Sequence, residues 1–334
     1  MISPPERMPA IVVESLGGPD VLQVRTTDVP SAAPGQTLIQ VQRAGVNFAD
    51  LERRRTGWNN PTQPLPVTPG FEVVGRRASD GVRVLGVTAD GSGGYAQYAA
   101  MPDSLTVPVP DGVSDHAALA AAIQGLTARG ALLSAGRLKE GDVVAVIGAA
   151  GGLGSLAVQL ARLHGASRVI GVASTEEKRR RVLDLGADAA VGSDPARLAE
   201  DIRAANNGAG VDLILESIGG PVVDAALDAL AYDGRMVVFG QASGASNVVP
   251  LDLLMDRSIG VIGYWVTPFL RGSEAHAAIG AILNWVADGR LQVAEGPSYP
   301  IGRVADAHAA IEARTTVGKV SLVVDEASWG PTPG

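Results

Sequence analysis

Short apolar runs separated by glycine and proline dominate the first third of the chain. From residue 1 to about 124, no long helical pattern stands between most of these runs, which indicates strands joined by turns. The pattern predicts an irregular, mostly antiparallel β-rich domain. The strands predicted here include Ile11–Glu14, Thr37–Gln42, Val82–Val87 and Tyr95–Met101.

The pattern changes to alternating strands and helices between residues 125 and 263. Strands separated by helices predict a parallel sheet covered on both faces, the doubly wound α/β fold that binds nucleotides. One helix carries an apolar stripe at helical spacing, formed by Leu153, Leu156, Leu160 and Leu163. The six predicted strands are Val143–Ile147, Arg168–Val172, Ala189–Val191, Val211–Leu215, Arg235–Phe239 and Ser258–Ile262.

The last part of the chain returns to the style of the first. Helical patterns at 273–288 and 303–314 flank a predicted strand near Gln292–Tyr299, and a last apolar run covers Lys319–Val324. We expect this part to rejoin the N-terminal one. Residues 1–124 and 264–334 would then form one discontinuous domain, with a nucleotide-binding domain at 125–263 inserted into it.

Composition narrows the chemistry that this chain can perform. Its 334 residues suggest roughly two domains, and a net charge of −8 without a basic tract argues against nucleic-acid binding. The absence of cysteine excludes disulfides, thiolate catalysis and thiolate-bound metals. The four histidines show no ligand spacing, so we expect no metal site; they are His116, His164, His276 and His308.

The N-terminal sequence MISPPERMPA lacks the pattern of a signal peptide. It contains early prolines and an acidic residue but no apolar segment. No run of the chain approaches about 18 uninterrupted apolar residues, the length that spans a bilayer. We therefore expect a cytoplasmic protein with no membrane partner.

A glycine-rich loop between a buried strand and the leucine-striped helix is the strongest chemical signal. Val143–Ile147 is followed by Gly148, Gly151, Gly152 and Gly154, with a GxxGxxG spacing. A tight turn at this place brings backbone N–H groups and a helix N-terminus close to a pyrophosphate. The loop predicts dinucleotide binding at these glycines; the alternative is a plain turn that allows close helix packing.

The end of the next predicted strand indicates which dinucleotide is bound. Sites for NAD carry an acidic residue there, which accepts a hydrogen bond from the ribose 2′-hydroxyl. Arg168–Val172 is instead followed by Ser174, Lys178 and Arg179, a hydroxyl and cations that suit a 2′-phosphate. We expect NADPH as the cofactor. In the alternative interpretation, the basic run through Arg181 is only a solvated first helical turn.

Several motifs together resemble a known family. In chain order they are Ala44–Asp50 (AGVNFAD), Pro69–Glu72 (PGFE), Gln124–Thr127 (QGLT), the glycine loop, Glu216–Gly219 (ESIG), Val238–Gln241 (VFGQ) and Ala313–Lys319 (ARTTVGK). This set is similar to the zinc-free quinone oxidoreductase branch of the medium-chain dehydrogenase/reductase superfamily, the zeta-crystallin group. The resemblance covers nearly the whole chain. It implies a GroES-like catalytic domain, a Rossmann domain, and a homodimer formed through the last strand of the nucleotide-binding sheet.

The resemblance also bears on zinc. The positions that match the zinc ligands of zinc-dependent relatives are Asn47, Phe71 and roughly Gln124, and none of them offers a thiolate or an imidazole. The implied reaction is zinc-independent transfer of a hydride from the nicotinamide to a quinone or an α,β-unsaturated carbonyl compound. The cofactor supplies the difficult chemistry of such a step.

The resemblance implies roles for further residues. Asn47 is the polar contact expected near the substrate, and Thr127 is expected to touch the nicotinamide. A turn cap and a plain helix hydroxyl are the respective alternatives. Further cofactor contacts are implied at Phe239, Gly240, Gln241, Arg314 and Lys319. Arg314 also suits a cation that interacts with a helix C-terminus.

The chain departs from the family pattern where adenine or substrate would lie. Gly192 and Ser193 replace a tyrosine expected near the adenine, and Glu52 replaces a tyrosine beside the Asn47 motif. Glu52 is therefore our candidate for the wall of the substrate pocket. Tyr264 and Trp265 are expected either to stack on a planar acceptor or to pack inside a domain junction.

Two alternative functions remain open from the sequence. The first is an enoyl-thioester reductase, for which Arg53–Arg55 would provide a basic cleft mouth. The second is a non-catalytic NADPH-binding protein, a redox sensor or a structural protein. A fold alone does not distinguish these functions, because function depends on the site that the fold carries.

Overall fold

The computed structural model describes residues 3–57, 64–245 and 247–330. Its strands are β1 (Arg7–Val13), β2 (Leu22–Asp28), β3 (Gln36–Val46), β4 (Glu72–Arg77), β5 (Arg83–Val87), β6 (Tyr98–Pro102), β7 (Thr106–Pro108), β8 (Val143–Ile147), β9 (Arg168–Val172), β10 (Ala189–Val191), β11 (Val211–Glu216), β12 (Leu230–Val238), β13 (Gly260–Gly263), β14 (Glu295–Pro300) and β15 (Lys319–Val323). Its α-helices are α1 (Phe48–Thr56), α2 (Asp115–Ala121), α3 (Ile123–Gly130), α4 (Gly152–Leu163), α5 (Glu176–Asp184), α6 (Pro195–Ala205), α7 (Pro221–Ala229), α8 (Leu251–Arg257), α9 (Val266–Leu270), α10 (Ala275–Ala287) and α11 (Val304–Glu312).

The chain divides into two compact units. The first unit comprises Met1–Gln124 and Thr267–Gly334, and the second unit comprises Gly125–Val266. The second unit continues beyond the end of β13 to Val266, because the chain stays attached to the sheet there. The backbone N–H of Tyr264 donates to the carbonyl of Val238, at 2.9 Å.

A seven-stranded sheet with mostly antiparallel pairing forms the centre of the first unit. Its order is β14-β15-β3-β4-β5-β7, and β6 also pairs with β3. The eleven-residue β3 holds this sheet together, since it bonds to β4, to β6 and to the C-terminal β15. The buried core includes Ile11, Ile39, Leu51 and Leu322.

The second unit contains a six-stranded parallel sheet in the order β10-β9-β8-β11-β12-β13. This is the Rossmann strand order. The order of the strands reverses between β8 and β11, and ligands bind at the carboxyl ends of the strands at this switch point. The predicted bounds of β8, β9 and β10 match the observed ones. The structure therefore confirms the predicted α/β fold class, a GroES-like β-rich domain with a Rossmann domain.

The leucine stripe on α4 is only half buried. Leu156 and Leu160 lie in the core, whereas Leu153 is half-buried and Leu163, the last residue of the helix, is 39% exposed. Among the described residues, one apolar helical run, Asp115–Ala135, has the length and hydropathy of a membrane span, and 72% of its most apolar stretch is buried inside the protein. Such burial is typical of core helices.

Candidate functional site

The glycine loop follows β8 at the switch point of the parallel sheet. Gly148 has a φ of +73°, which favours glycine, and it starts the turn. A Cβ added at Gly154 would lie 2.3 Å from the carbonyl oxygen of Gly148, so only glycine allows the first turn of α4 to pack this closely. Gly151 caps α4 and Gly152 is its first residue. The helix N-terminus thus presents N–H groups at the loop, an arrangement suited to phosphate.

Ser174, Lys178 and Arg179 lie together after the carboxyl end of β9. Ser174 is exposed, and the hydroxyl of the next residue, Thr175, caps α5 by accepting from the N–H of Lys178 at 3.2 Å. Arg179 donates to the carbonyl of Ala173 at 3.3 Å and to the carboxylate of Glu176 at 2.9 Å. No acidic residue follows β9 directly, since the first carboxylate is Glu176.

Phe239, Gly240 and Gln241 follow β12, at the same edge of the sheet. The N–H of Phe239 donates to the carbonyl of Glu216 at 3.0 Å, and the side-chain amide of Gln241 donates to the carbonyl of Ala245. Phe239 and Gly240 are half-buried and Gln241 is exposed. These three residues therefore form a loop beside the one that follows β11.

Glu216 holds that neighbouring loop in place, a role that the sequence did not reveal. Its Oε1 accepts from the N–H of Ile218 at 2.5 Å and from the N–H of Gly219 at 2.9 Å, while its Oε2 has no hydrogen-bond partner among the described residues. Burial raises the pKa of this carboxyl. The Glu216–Gly219 motif was visible in the sequence, but its spacing does not show that the carboxylate bonds to its own turn.

Thr127 and Tyr264 are both packed inside the second unit. Thr127 lies on α3 and is buried. The hydroxyl of Tyr264 lies against the next turn of that helix, where a Cβ added at Gly130 would be 1.9 Å from Oη. Burial raises the pKa of Tyr264. Of the two alternatives that the sequence leaves open for Tyr264, this contact favours packing over stacking on an acceptor. Trp265, the next residue, is half-buried.

In the first unit, Asn47 belongs to a buried polar group with Glu72 and Lys319. Its Nδ2 donates to both carboxylate oxygens of Glu72, each at 2.9 Å, and its Oδ1 accepts from Nζ of Lys319 at 2.8 Å. Lys319 also donates to Glu72 and to the carbonyl of Val46. Both N–H bonds of the amide are used, so Asn47 has no free donor for a substrate oxygen.

Lys319 lies in an environment that weighs against direct contact with a phosphate. Its side chain is wholly buried and forms an ion pair with Glu72, which is also wholly buried. An ammonium with these partners would have to leave them to reach a phosphate, at the cost of a buried unpaired carboxylate. Lys319 therefore belongs to the first unit's core, and the cofactor contact implied at this residue stays a prediction. Arg314, the other predicted contact in this segment, is exposed and has a φ of +57°.

Asp50 lies next to this group, at the start of α1. Its Oδ2 accepts from the backbone N–H of Asn47 at 2.8 Å. Burial, together with the nearby negative charge of Glu72, raises the pKa of Asp50 to about 7. Tyr95 is also wholly buried, and burial and these two carboxylates hold its pKa well above the usual value. Asp50 and Tyr95 therefore extend the buried polar group around Asn47 further into the core of the first unit.

The three arginines of α1 have three different environments. Arg54 is buried and forms an ion pair with Glu312. Arg55 is exposed and pairs with Glu52, with 2.9 Å between the nearest atoms. The guanidinium of Arg53 lies over the ring of Phe71, 5.1 Å from its centroid. The structure therefore does not present Arg53–Arg55 as one basic surface, and it pairs the predicted pocket residue Glu52 with its own helix.

A cavity of about 120 Å³ lies beside α1. Asp50, Arg53 and Arg54 supply its polar wall. Its other lining residues are mostly apolar and comprise Val13, Leu16, Gly57, Leu65, Val67, Pro69 and Gly91. A wider groove of about 600 Å³ in the same unit is lined by none of the predicted site residues.

The residues at the zinc-ligand positions do not fit a zinc ion. The amide of Asn47 is bonded to Glu72 and Lys319, and Phe71 offers an aromatic ring that Arg53 covers. Among the described residues, no group of three or more His, Cys, Asp or Glu side chains is arranged to hold a metal. Zinc prefers thiolate, imidazole and carboxylate ligands, and the carboxylate nearest to Asn47 is already paired with an ammonium.

Comparison with known proteins defines the class of protein. The family described as "Alcohol dehydrogenase GroES-like domain" matches residues 33–111, and the family described as "Zinc-binding dehydrogenase" matches residues 152–282. The first match lies within the first unit, and the second match covers most of the second unit and continues into α10 of the first.

Individual relatives narrow this class. A "Probable quinone oxidoreductase" of Schizosaccharomyces pombe is 34% identical over 326 residues, which cover 95% of this chain and 97% of the relative. A mycobacterial protein solved with NADPH is 34% identical, with a TM-score of 0.88, and covers 95% of this chain and 100% of its own. The Thermus thermophilus quinone oxidoreductase, also solved with NADPH, is 35% identical, with a TM-score of 0.81 and the same coverage of both chains. The chain belongs to the quinone oxidoreductase branch of the medium-chain dehydrogenase/reductase superfamily.

Proposed function

We propose that this chain is an NADPH-dependent oxidoreductase that reduces a quinone or an α,β-unsaturated carbonyl compound without zinc. The observation that carries the proposal is the glycine loop at the switch point of the parallel sheet, in a chain whose quinone oxidoreductase relatives were solved with NADPH. When bound, NADPH supplies the hydride. The residues of the chain bind and orient the reactants and exclude water from them.

The proposed cofactor site follows the carboxyl edge of the parallel sheet. The N-terminus of α4, with Gly148, Gly151, Gly152 and Gly154, binds the pyrophosphate. A hydroxyl and two cations after β9 take the 2′-phosphate, and this supports NADPH over NADH because charge-assisted hydrogen bonds are strong. Ser174, Lys178 and Arg179 are the residues proposed for the 2′-phosphate, and Thr127 is the residue proposed for the nicotinamide. Further cofactor contacts are proposed at Phe239, Gly240, Gln241 and Arg314.

Zinc independence is supported by the donor set and not by the name of the matching family. Asn47 and Phe71 stand where a metal would need ligands, and Asn47 is occupied by Glu72 and Lys319. We assign Asn47 a positioning role: it ties the start of α1 to β4 and β15. Adding zinc or a chelator should therefore leave the activity unchanged.

The test is oxidation of NADPH, followed by nicotinamide absorbance, against ortho- and para-quinones, short 2-alkenals and an enoyl-CoA, with NADH in parallel. Turnover of quinones or alkenals with NADPH well ahead of NADH is the expected result. Turnover of the thioester alone would replace the proposal with an enoyl-thioester reductase. Saturable NADPH binding without any turnover would instead favour a sensor or a structural protein.

We further propose a homodimer formed through β13, the edge strand of the parallel sheet. An edge strand with free N–H and carbonyl groups can pair with another copy. The preceding helix, α8, has no buried residue, and its Leu251 and Met255 are 76% and 75% exposed. Sedimentation velocity should show a dimer that the pair Leu251→Glu and Met255→Glu weakens, while Leu183→Glu on another exposed position leaves it intact. The cytoplasmic location expected from the sequence stays a prediction.

A further inference from the structure

The guanidinium of Arg53 is fixed in place by two contacts. It lies over the ring of Phe71, 5.1 Å from the centroid, and its Nη1 donates to the carbonyl of Asp90. Phe71 is buried, so the ring provides a firm surface for the planar cation. Gly91 leaves the space that this arrangement needs, because a Cβ added there would lie 1.8 Å from Nη1 and 2.5 Å from Cζ of Phe71.

Two of the three guanidinium nitrogens of Arg53 carry donors that the described residues leave unused. Among the described residues, its Nε and Nη2 donate to no protein acceptor, whereas Arg54 and Arg55 are paired with Glu312 and Glu52. Arg53 also lines the cavity beside α1, whose other walls are mostly apolar. An apolar wall strengthens the field of a cation, because it offers little screening. Arg53 is thus a pre-oriented cation at this cavity, with hydrogen-bond donors that no described residue occupies.

We propose that Arg53 donates hydrogen bonds to the carbonyl oxygen of the acceptor and stabilises the negative charge that this oxygen gains. The inference rests on the proposed function and adds to it a residue and a substrate class: planar carbonyl acceptors whose oxygen becomes an enolate or a phenolate. The cavity holds the volume of about four water molecules, so it accommodates the reacting end of a ring rather than a whole bicyclic quinone.

The reaction balances without a further reactant. The acceptor gains a hydride, which is two electrons and one proton, and becomes an anion, while NADPH becomes NADP⁺. A proton from solvent then neutralises the anion to the hydroquinone or the saturated ketone. Arg53 stays protonated throughout, since a guanidinium does not give up its proton in this range of pH. Its contribution is electrostatic, of the kind an oxyanion hole makes.

The position of Phe71 supports the role assigned to Arg53. It stands where zinc-dependent relatives place a metal ligand, and in this chain the cation found against that position belongs to Arg53. A guanidinium with free N–H groups can polarise a carbonyl as a metal would, although less strongly. The side chain of Arg53 therefore supplies a positive charge at a place where the residues present do not fit zinc.

The test compares Arg53→Met and Arg53→Gln with a matched control, Arg55→Met, on the same helix. We expect Arg53→Met to lower kcat/KM for quinones about 100-fold, in line with the loss of one oxyanion donor, with the KM for NADPH unchanged. Arg53→Gln, which keeps a donor but no charge, should fall between, and Arg55→Met should stay within about twofold of the parent. Thermal unfolding and NADPH affinity establish whether each variant is folded. If Arg53→Met is not folded, Arg53→Gln is compared with the parent in its place.

A binding readout separates this inference from the proposed function. 4-Nitrophenolate imitates the anionic product and changes its absorbance when hydrogen-bonded, so its affinity for the NADP⁺-loaded protein can be measured without turnover. Arg53→Met should weaken its binding at least tenfold. If the parent reduces quinones but both variants keep kcat/KM and phenolate affinity within about threefold, the role of Arg53 is overturned and the oxidoreductase stands. If the parent turns over no acceptor, the proposed function fails, and phenolate binding alone decides whether Arg53 holds an anionic oxygen.

Discussion

Lys319 and Glu72 form an ion pair in which neither side chain is exposed, although 247 residues separate them in the chain. Asn47 bonds to both partners, so the pair ties β15 and β4 to the start of α1. Removing one member of such a pair leaves an uncompensated charge in the core, and this costs more than removing both.

Lys319→Met should therefore destabilise the protein by about 3–5 kcal/mol, measured by chemical denaturation. The double variant Lys319→Met with Glu72→Gln should recover a large part of this loss, since no buried charge remains. Lys139→Met, at an exposed lysine, is the control and should change stability by less than about 0.5 kcal/mol. Equal losses in the single and double variants would show that the charge itself does not matter.

Asp50 should make the protein less stable as the pH rises. Burial and then Glu72 raise its pKa to about 7, against the opposing effects of the Asn47 N–H, Lys319 and Arg53. In the unfolded chain the pKa of this carboxyl is near its ordinary value of 3.8, so stability is lost between about pH 4 and pH 7 and is constant above that.

Asp50→Asn should remove this loss, which amounts to about 4 kcal/mol at pH 8 relative to pH 4. The stability difference between variant and parent should therefore grow across this range. Asp184→Asn, at an exposed position, should show no such growth. A flat difference for Asp50→Asn would mean that the carboxyl ionises normally in the folded protein.

His308 should have the opposite effect on acid stability. It is buried with its ring 6.1 Å from that of Tyr95, and burial, together with the positive charge of Arg54, lowers its pKa to about 3. Below about pH 6.5 the unfolded chain takes up a proton that the folded protein does not, so stability falls as the pH drops from 6.5 to 3.

His308→Leu should flatten this acid-induced loss, by about 4 kcal/mol over the range. The expected result is a variant that is weaker than the parent at pH 7 and relatively better at pH 4. Denaturation curves at several pH values measure it, with His276→Leu at an exposed site as the control. Parallel curves for parent and His308→Leu would show that His308 becomes charged inside the fold.

Lys178 should distinguish the two nicotinamide cofactors. It lies on the first turn of α5, shortly after Ser174, in the segment proposed to bind the 2′-phosphate. Lys178→Ala should weaken NADPH binding by roughly 1–3 kcal/mol and leave NADH binding almost unchanged. Calorimetric titration with both cofactors measures this, with Lys139→Ala as the control. Equal losses for NADPH and NADH would remove the 2′-phosphate from the assignment.

The strands of the parallel sheet were predictable because their signal is local. Val143–Ile147 and Arg168–Val172 are short apolar runs that end in turns, as buried parallel strands are expected to be. The strand β2 was not predicted, because Leu22–Asp28 is mostly exposed and polar and pairs only with β1. β4 was missed as well: it begins with Glu72, whose charge is neutralised by a residue near the other end of the chain.

The same distinction applies to the candidate site. The glycine loop was predictable, since its spacing and its neighbours lie within one strand and one helix. The sequence indicates Asn47 as a candidate polar contact. Its hydrogen bonds to Glu72 and Lys319 depend on the pairing of strands that lie far apart in the chain. Arg53 was visible only as part of a basic run. Its stacking on Phe71 separates it from Arg54 and Arg55, and no period or motif in the sequence contains that information.

The pairing of β15 with β3 determines which of the two units can fold first during synthesis. Gly125–Val266 is one continuous segment, so it can fold as soon as it leaves the ribosome, as domains generally do. The first unit must wait, because β3 lacks one neighbour and Glu72 lacks its cation until Lys319 has been added. A nascent chain stopped before that point therefore carries a finished nucleotide-binding unit attached to an open sheet, and that open edge is where such a truncated product would aggregate.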